Sequence, residues 1–567
     1  MCKIFRLCVQ LSIQDRIDND VADAAWSWVQ VSYICSEWRR VALGCQDLWR
    51  YIDFSHSRTC AVTLERAKMS PLHIHTVVSD SNVRLVRRTL QLAHRIQDIR
   101  LRASLQHIYP LLELLSYPNP AVKSLIVDVL IPKSRPFGAD IYTRLTVPTC
   151  GPPLENLKYM ELRSAPFYLL TPRCTQLTEL HIHDLPMTER PTLRNFLTTL
   201  DHLHHLEHLT LDRSFPINID MVDVQSLERR AVLPSLKSIS LIGSLIETAN
   251  LLACFVLPPS ARLISRISTL ADLKNNIWRL SRWLSSYCCV ADGPPLDMLV
   301  LTGQEAGPRF IEDTFDPNPD FRQSLRIKAF RAGCAEAAID LTFEPCERDT
   351  TLDDLLVTSL TSTLEALPLT QIHTLAVRDI DFVTQRSWSQ LLREIPFLRV
   401  LDITGRAPSG LAWALLLNSR LHNSMFMPED SSWGPRLFVP RLNDIYLHKV
   451  DCSSGGYMIS QKASVNSYFN LDDSRFHDVL NASICERRQL GLSLRSLSLD
   501  RCEYVMKKSI ENSRRLVSHL ICDIQKLVKD EDVDDFWSAR YRGRWNIDHL
   551  KIAHYYRLYA LAMDSDI

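Results

Sequence analysis

The sequence predicts an α/β protein: a short helical segment, then a long irregular solenoid with parallel strands inside and helices outside. Three observations predict it. One order of apolar residues recurs eleven times between about residue 90 and residue 500. Residues 31–49 carry helical spacing with aromatic anchors. The chain has 567 residues, too long for one ordinary compact domain of ~100–200, whereas a stacked array can lengthen by adding units.

The N-terminal element comes first. Val31, Ile34, Cys35, Trp38, Val41 and Ala42 fall at i, i+3, i+4, i+7, i+10 and i+11, which lays them along one face of a helix. Gly44 is suited to stop that helix, and Leu48-Trp49 follows it. Upstream, Ile4, Leu7, Cys8 and Leu11 also keep helical spacing, and a polar, acidic insert at 12–25 separates the two stretches. Periodicity alone allows a small helical cap on a larger domain.

The residue identities narrow this. Cys35-x-x-Trp38-Arg39, then Leu48-Trp49 and Ile52, closely resembles the second half of an F-box, as in the large fungal group of F-box-like proteins. That family's first half opens with Leu-Pro-x-Glu and a helix ending near Ile-Phe. Here Ile4-Phe5 stands near the start and the Leu-Pro-x-Glu opening is absent, so the box reads as truncated or degenerate. The resemblance covers about a tenth of the chain. It implies docking on a Skp adaptor and, through it, a cullin. Ile4, Phe5, Leu7, Val31, Cys35, Trp38, Arg39, Leu48 and Trp49 would lie at or beside the adaptor.

Residues 1–54 are thus expected to form the F-box-like segment and 55–85 a connector. Residues 86–505 follow as the array, with a helical cap or tail at 506–567. Within the array the pattern is apolar-x-x-apolar-x-x-apolar-x-apolar. Leu154, Leu157, Met160 and Leu162 fit it, as do Leu203, Leu206, Leu209 and Leu211, and Leu233, Leu236, Ile239 and Leu241. Leu369, Ile372, Leu375 and Val377, then Ile395, Leu398, Leu401 and Ile403, then Val439, Leu442, Ile445 and Leu447 repeat it. Shorter forms end at Leu101, Val127, Ile182, Leu301 and Leu499. The last two apolar positions alternate, as in a strand with one buried face. The pattern resembles the leucine-rich repeat, in which no unit buries its leucines alone and stacking supplies the core. A two-layer α/β domain with several similar strands is the alternative. The gap from Leu301 to Val377 is expected to hold degenerate units or insertions. Pro234, Pro368 and Pro440 stand where a preceding helix must end.

Residues 316–320, 427–435 and 451–456 read as loops. Acidic residues at 529–535 precede Arg540, Arg542 and Arg544. Pairing within a terminal cap is favoured over a nucleic-acid patch.

Residues flanking the buried strand positions would form the open inner face and bind a target. They are Tyr159, Glu161, Arg163, Glu179, His181, His183, His208 and Asp212, then Arg378, Asp402, Tyr446 and His448. His204 and His208 at i, i+4 are compatible with a metal on a helix. The leucines between them leave the histidines outside, so no metal site is assigned.

Lysine plus arginine and aspartate plus glutamate number 65 each, so no global field steers the chain to nucleic acid. Sixteen scattered cysteines suit reduced thiols, hence a cytoplasmic or nuclear protein. The longest apolar runs have seven residues against ~20 for a membrane span. Gly-rich phosphate loops and the Gly-x-Ser-x-Gly elbow are absent, so no enzyme and no cofactor are expected. The expected function is a substrate receptor of a Skp–cullin–F-box ubiquitin ligase. The alternative is a repeat scaffold with no ubiquitin role.

Overall fold

The structure is a computed structural model. It describes residues 4–5, 7–8, 29–30, 32–54, 56–112, 114, 121–130, 154–165, 167, 174–221, 230–269, 273–288, 294–305, 323–344, 352–380, 382–408, 410–416, 438–452 and 476–528. Val31, the insert at 12–25, the loops at 316–320 and 427–435, and the charged stretch at 529–545 lie outside them. The chain forms two compact units, Met1–Gly243 with Asn250–Ala261, and Ser244–Ala249 with Arg262–Ile567.

In the first unit seven strands run parallel in chain order, save one small pair set aside. They are β1 (Leu72–Val77), β2 (Ile96–Ser104), β3 (Ser124–Leu130), β4 (Tyr159–Arg163), β5 (Glu179–His183) and β6 (His208–Asp212). After β7 (Ala231–Val232) comes β8 (Ser238–Ser244), which pairs with β6. β7 pairs separately with β9 (Phe255–Val256). The predicted leucines are the core. Leu157, Met160, Leu162, Leu180, Ile182, Leu211 and Leu241 are fully buried, while the residues between them stay half-buried or exposed, apart from Glu161.

The second unit begins with β10 (Arg262–Thr269), β11 (Leu296–Glu305), β12 (Gln323–Arg331) and β13 (Ala337–Phe343). It continues with β14 (Thr374–Arg378), β15 (Val400–Arg406), β16 (Asp444–Asp451), β17 (Ser496–Met506) and β18 (His519–Val528). Their order is β10-β13-β12-β11-β14-β15-β16-β17-β18. From β11 through β18 by way of β14 the neighbours are parallel, but β11–β12 and β12–β13 are antiparallel. The gap between Leu301 and Val377 therefore holds two further strands, of which β12 alone is reversed, since β13 runs parallel to β10. Alternation specifies a strand and its buried face, not its direction.

Five of the six full motifs build the same local structure, the exception being the one ending at Leu241, whose strand runs on to Ser244. The first two apolar residues close a turn by a backbone bond: Leu157 to Leu154, Leu206 to Leu203, Ile372 to Leu369, Leu398 to Ile395 and Leu442 to Val439, all at 3.0–3.1 Å. A five-residue strand core follows. A residue with positive φ stands two places after the last buried one: Ser164, Asp184, Arg213, Asp379, Gly405, Lys449 and Arg501. This left-handed residue points its N–H at the next strand. Ser164 donates to His183, Asp184 to Asp212, and Arg213 to Ile242, at 2.8–2.9 Å. A left-handed non-glycine residue costs roughly 1 kcal/mol, so a backbone bond and packing on both sides must offset it.

Three expectations are corrected. The sheet starts inside the supposed connector, because Leu72, Ile74 and Thr76 alternate with His73 and His75 and pair with β2. That connector also holds the Ser57–Ala67 helix. The sheet also extends past residue 505: β18 pairs with β17 along its length, where a helical cap was expected. Finally, the N-terminal helix is Ser36–Gly44, not one running from Val31. Cys35 is its N-cap, with Sγ accepting from the Trp38 N–H at 3.4 Å. Ile34 is 62% exposed, so the predicted apolar face shortens to Trp38, Val41 and Ala42.

Candidate protein-interaction face

Register decides which side chains meet. In the first unit one row runs His73, Asp98, Ser124, Tyr159, Glu179, His208, Ser238. The next runs His75, Arg100, Ile126, Glu161, His181, Thr210, Ser240, and the third Val77, Arg102, Asp128, Arg163, His183, Asp212, Ile242. All eight predicted residues of this unit stand together on β4–β6.

They are also bonded to one another. Tyr159 donates its hydroxyl to Glu161 at 2.7 Å, and the Arg163 guanidinium donates to the same carboxylate at 2.5 Å. The Tyr159 ring lies 5.3 Å from His181, which stacks parallel to His183 at 6.4 Å. His183 sits 3.6 Å from Asp212, and His208 bonds Ser238 at 2.7 Å. Burial alone would raise Glu161, which is only 6% exposed, but the bonds from Tyr159 and Arg163 outweigh it and hold the carboxyl below its usual range. Burial, then the bond to Glu161, pushes the Tyr159 phenol up. Burial pulls His181 down despite Glu161 and Glu179, which keeps its imidazole neutral near pH 7. The face therefore presents an aromatic ring, one guanidinium and several imidazoles, each prepositioned by a neighbour. That inventory suits recognition of another protein.

In the second unit, Asp402 is in register with Tyr446, and Thr404 with His448. Tyr446 is 38% exposed, and His448 pairs closely with Asp500. Arg378 is exposed one strand away from Asp402 and Thr404. These four predicted residues share one surface of their unit.

The predicted adaptor residues divide by burial. Phe5, Leu48 and Trp49 are inside, at 0%, 1% and 3% exposure. Phe5 meets Trp38 edge-on at 5.3 Å, and Arg66 lies over the Trp49 ring at 4.3 Å. Ile4 and Leu7 are more than half exposed, and Cys35 and Arg39 are also exposed. The buried three support a surface and do not form it. Tyr33 and Leu43, which the sequence reading did not nominate, add exposed apolar area to the same segment.

His204 lies in a turn and His208 in β6, so their i, i+4 spacing is not helical and does not bring the two rings onto one helix face. The sequence reading passed over His73, His75 and Asp98 on the first unit's face. A His-x-His pair in an alternating strand is legible, but its partner 23 residues away needs the register. No protein-family model matches the chain, and no curated protein matches it. Among the described residues, no helix is long and apolar enough to cross a membrane.

Proposed function

We propose that the chain is a leucine-rich-repeat substrate receptor of a Skp–cullin ubiquitin ligase. The N-terminal segment would hold the adaptor and the strand face a protein target. The observation that carries this is the bonded row-by-row face on β4–β6, built by a repeated turn–strand–left-handed unit. Exposed Ile4, Leu7, Tyr33, Ile34 and Leu43 on the F-box-like segment support the adaptor half. Such a receptor does no chemistry; it raises the local concentration of a target near the ubiquitin-carrying enzyme.

A second reading is a repeat scaffold with no ubiquitin link. Tyr51 bridges to His73, and Ile52 donates to the His73 carbonyl at 3.2 Å, so the segment also caps the first strand. Co-purification with a Skp adaptor separates the two readings. The full chain is expected to capture the adaptor, and an Ile4→Glu, Leu7→Glu variant to lose capture while keeping its fold. Capture by neither favours the scaffold, and equal capture by both would place adaptor binding on residues other than Ile4 and Leu7.

A further inference from the structure

We propose that His73, His75 and Asp98 form a binding site for a divalent transition-metal ion of the zinc type. This site is independent of the ubiquitin reading. Three independent features assemble it. His73 and His75 are two apart on β1, so the pleat turns both imidazoles to one face. Asp98 on β2 is the register partner of His73, which sets its carboxylate between the two rings. One donor atom from each residue lies within 4.8 Å of the other two.

The distances are close to those of a coordinated set. Asp98 Oδ2 is 3.4 Å from His73 Nδ1 and 2.7 Å from His75 Nε2. Ligands at ~2.0–2.1 Å from a tetrahedral zinc stand about 3.3 Å apart, so a small side-chain rotation admits the ion. Two imidazoles with one carboxylate favour zinc over calcium or magnesium, which take oxygen ligands. The donors are prearranged in a partly shielded setting. All three side chains are less than a quarter exposed, and the Tyr51 ring stacks on His73 at 4.7 Å and meets His75 edge-on at 5.6 Å. A bound ion would tie β1 to β2 and hold the rings that Tyr51 covers.

The test uses the full chain, stripped by a chelator and dialysed, then titrated calorimetrically with zinc chloride near pH 7.5. Cobalt chloride in a parallel titration reports coordination through its visible bands. The expected result is one zinc per chain that is absent in His73→Ala, His75→Ala and at least ~10-fold weaker in Asp98→Asn. It should be unchanged in His204→Ala, His205→Ala, which removes exposed histidines elsewhere. Asp98→Asn keeps the side-chain shape and reads the site if the double alanine variant does not fold. A wild-type chain that binds no zinc, or an Asp98→Asn chain that binds as tightly as wild type, overturns the proposal.

Discussion

Trp49 donates its indole N–H to the carbonyl of Ala42, 3.0 Å away and seven residues back. The bond joins the short helix carrying Trp49 to the last turns of the Ser36–Gly44 helix, and Arg66 closes over the ring. Trp49→Ala is therefore expected to destabilise the first unit by ~3–5 kcal/mol in urea denaturation. Trp38 is only half-buried, so Trp38→Ala should cost less, about 1–3 kcal/mol. Equal losses for the two would contradict this difference in burial.

Gly405 occupies the repeated left-handed position, with φ +81°. A Cβ there would stand 1.9 Å from Asp379 Oδ1, the atom that accepts the Arg406 N–H at 3.2 Å. Gly405→Ala combines backbone strain with displacement of that carboxylate. The expected loss is about 1–3 kcal/mol, read as a lower denaturation midpoint at unchanged slope. A midpoint equal to wild type would show that Asp379 moves aside freely.

His477 is fully buried and contacts Ser513 at 3.2 Å. Burial pushes its pKa down to about 4, against a weaker upward pull from Asp478. In the unfolded chain a histidine titrates near ~6.5. Between these values the folded state binds fewer protons than the unfolded one. The stability contributed by the neutral ring is thus complete above about pH 6.5 and is lost as pH falls toward 4. The full window is worth roughly 3 kcal/mol. Denaturation of wild type and His477→Gln at pH 7 and pH 4.5 should show a steeper loss in wild type. Parallel losses would mean that the ring is solvated.

Arg487 is 2% exposed and donates to the carbonyls of Phe438 and Val439, at 3.1 and 2.9 Å. Burial pushes its guanidinium down to about 10. These carbonyls belong to the turn that launches β16, where Val439 itself has φ +42°. Arg487→Met keeps much of the volume but removes the donor to the Phe438 carbonyl and one of the two donors to Val439, whose carbonyl keeps the Leu442 N–H. It should cost about 2–4 kcal/mol and speed hydrogen exchange in β16. Unchanged exchange there would show that the turn holds without the side chain.

What the sequence made legible follows from period. Leu209 and Leu211 announce β6 and its buried face because alternation is local, and the same holds at Leu375 and Val377. Direction is not local, which is why the reversal of β12 was unreadable. Cross-strand partners were equally hidden. Tyr159 and His181 were nominated separately, and only the register brings their rings together. Arg487 and His477 carry no local signal, since their partners lie 49 and 36 residues away in sequence. The helix starting at Ser36 was over-extended because apolar spacing continued upstream, whereas Cys35 acts as a cap.

The out-of-sequence strand order around reversed β12 carries a consequence for synthesis. Arg262 on β10 donates to the carbonyl of Ala337, 75 residues further on, at the head of β13. A ribosome adding ~5–20 residues per second needs roughly 4–15 s to make that stretch. For that interval β10 lacks its partner within the second unit, whereas β14 waits only for the helix and turn that separate it from β15. Among the described strands of the second unit, β10 thus stays without that partner until the chain has passed Ala337.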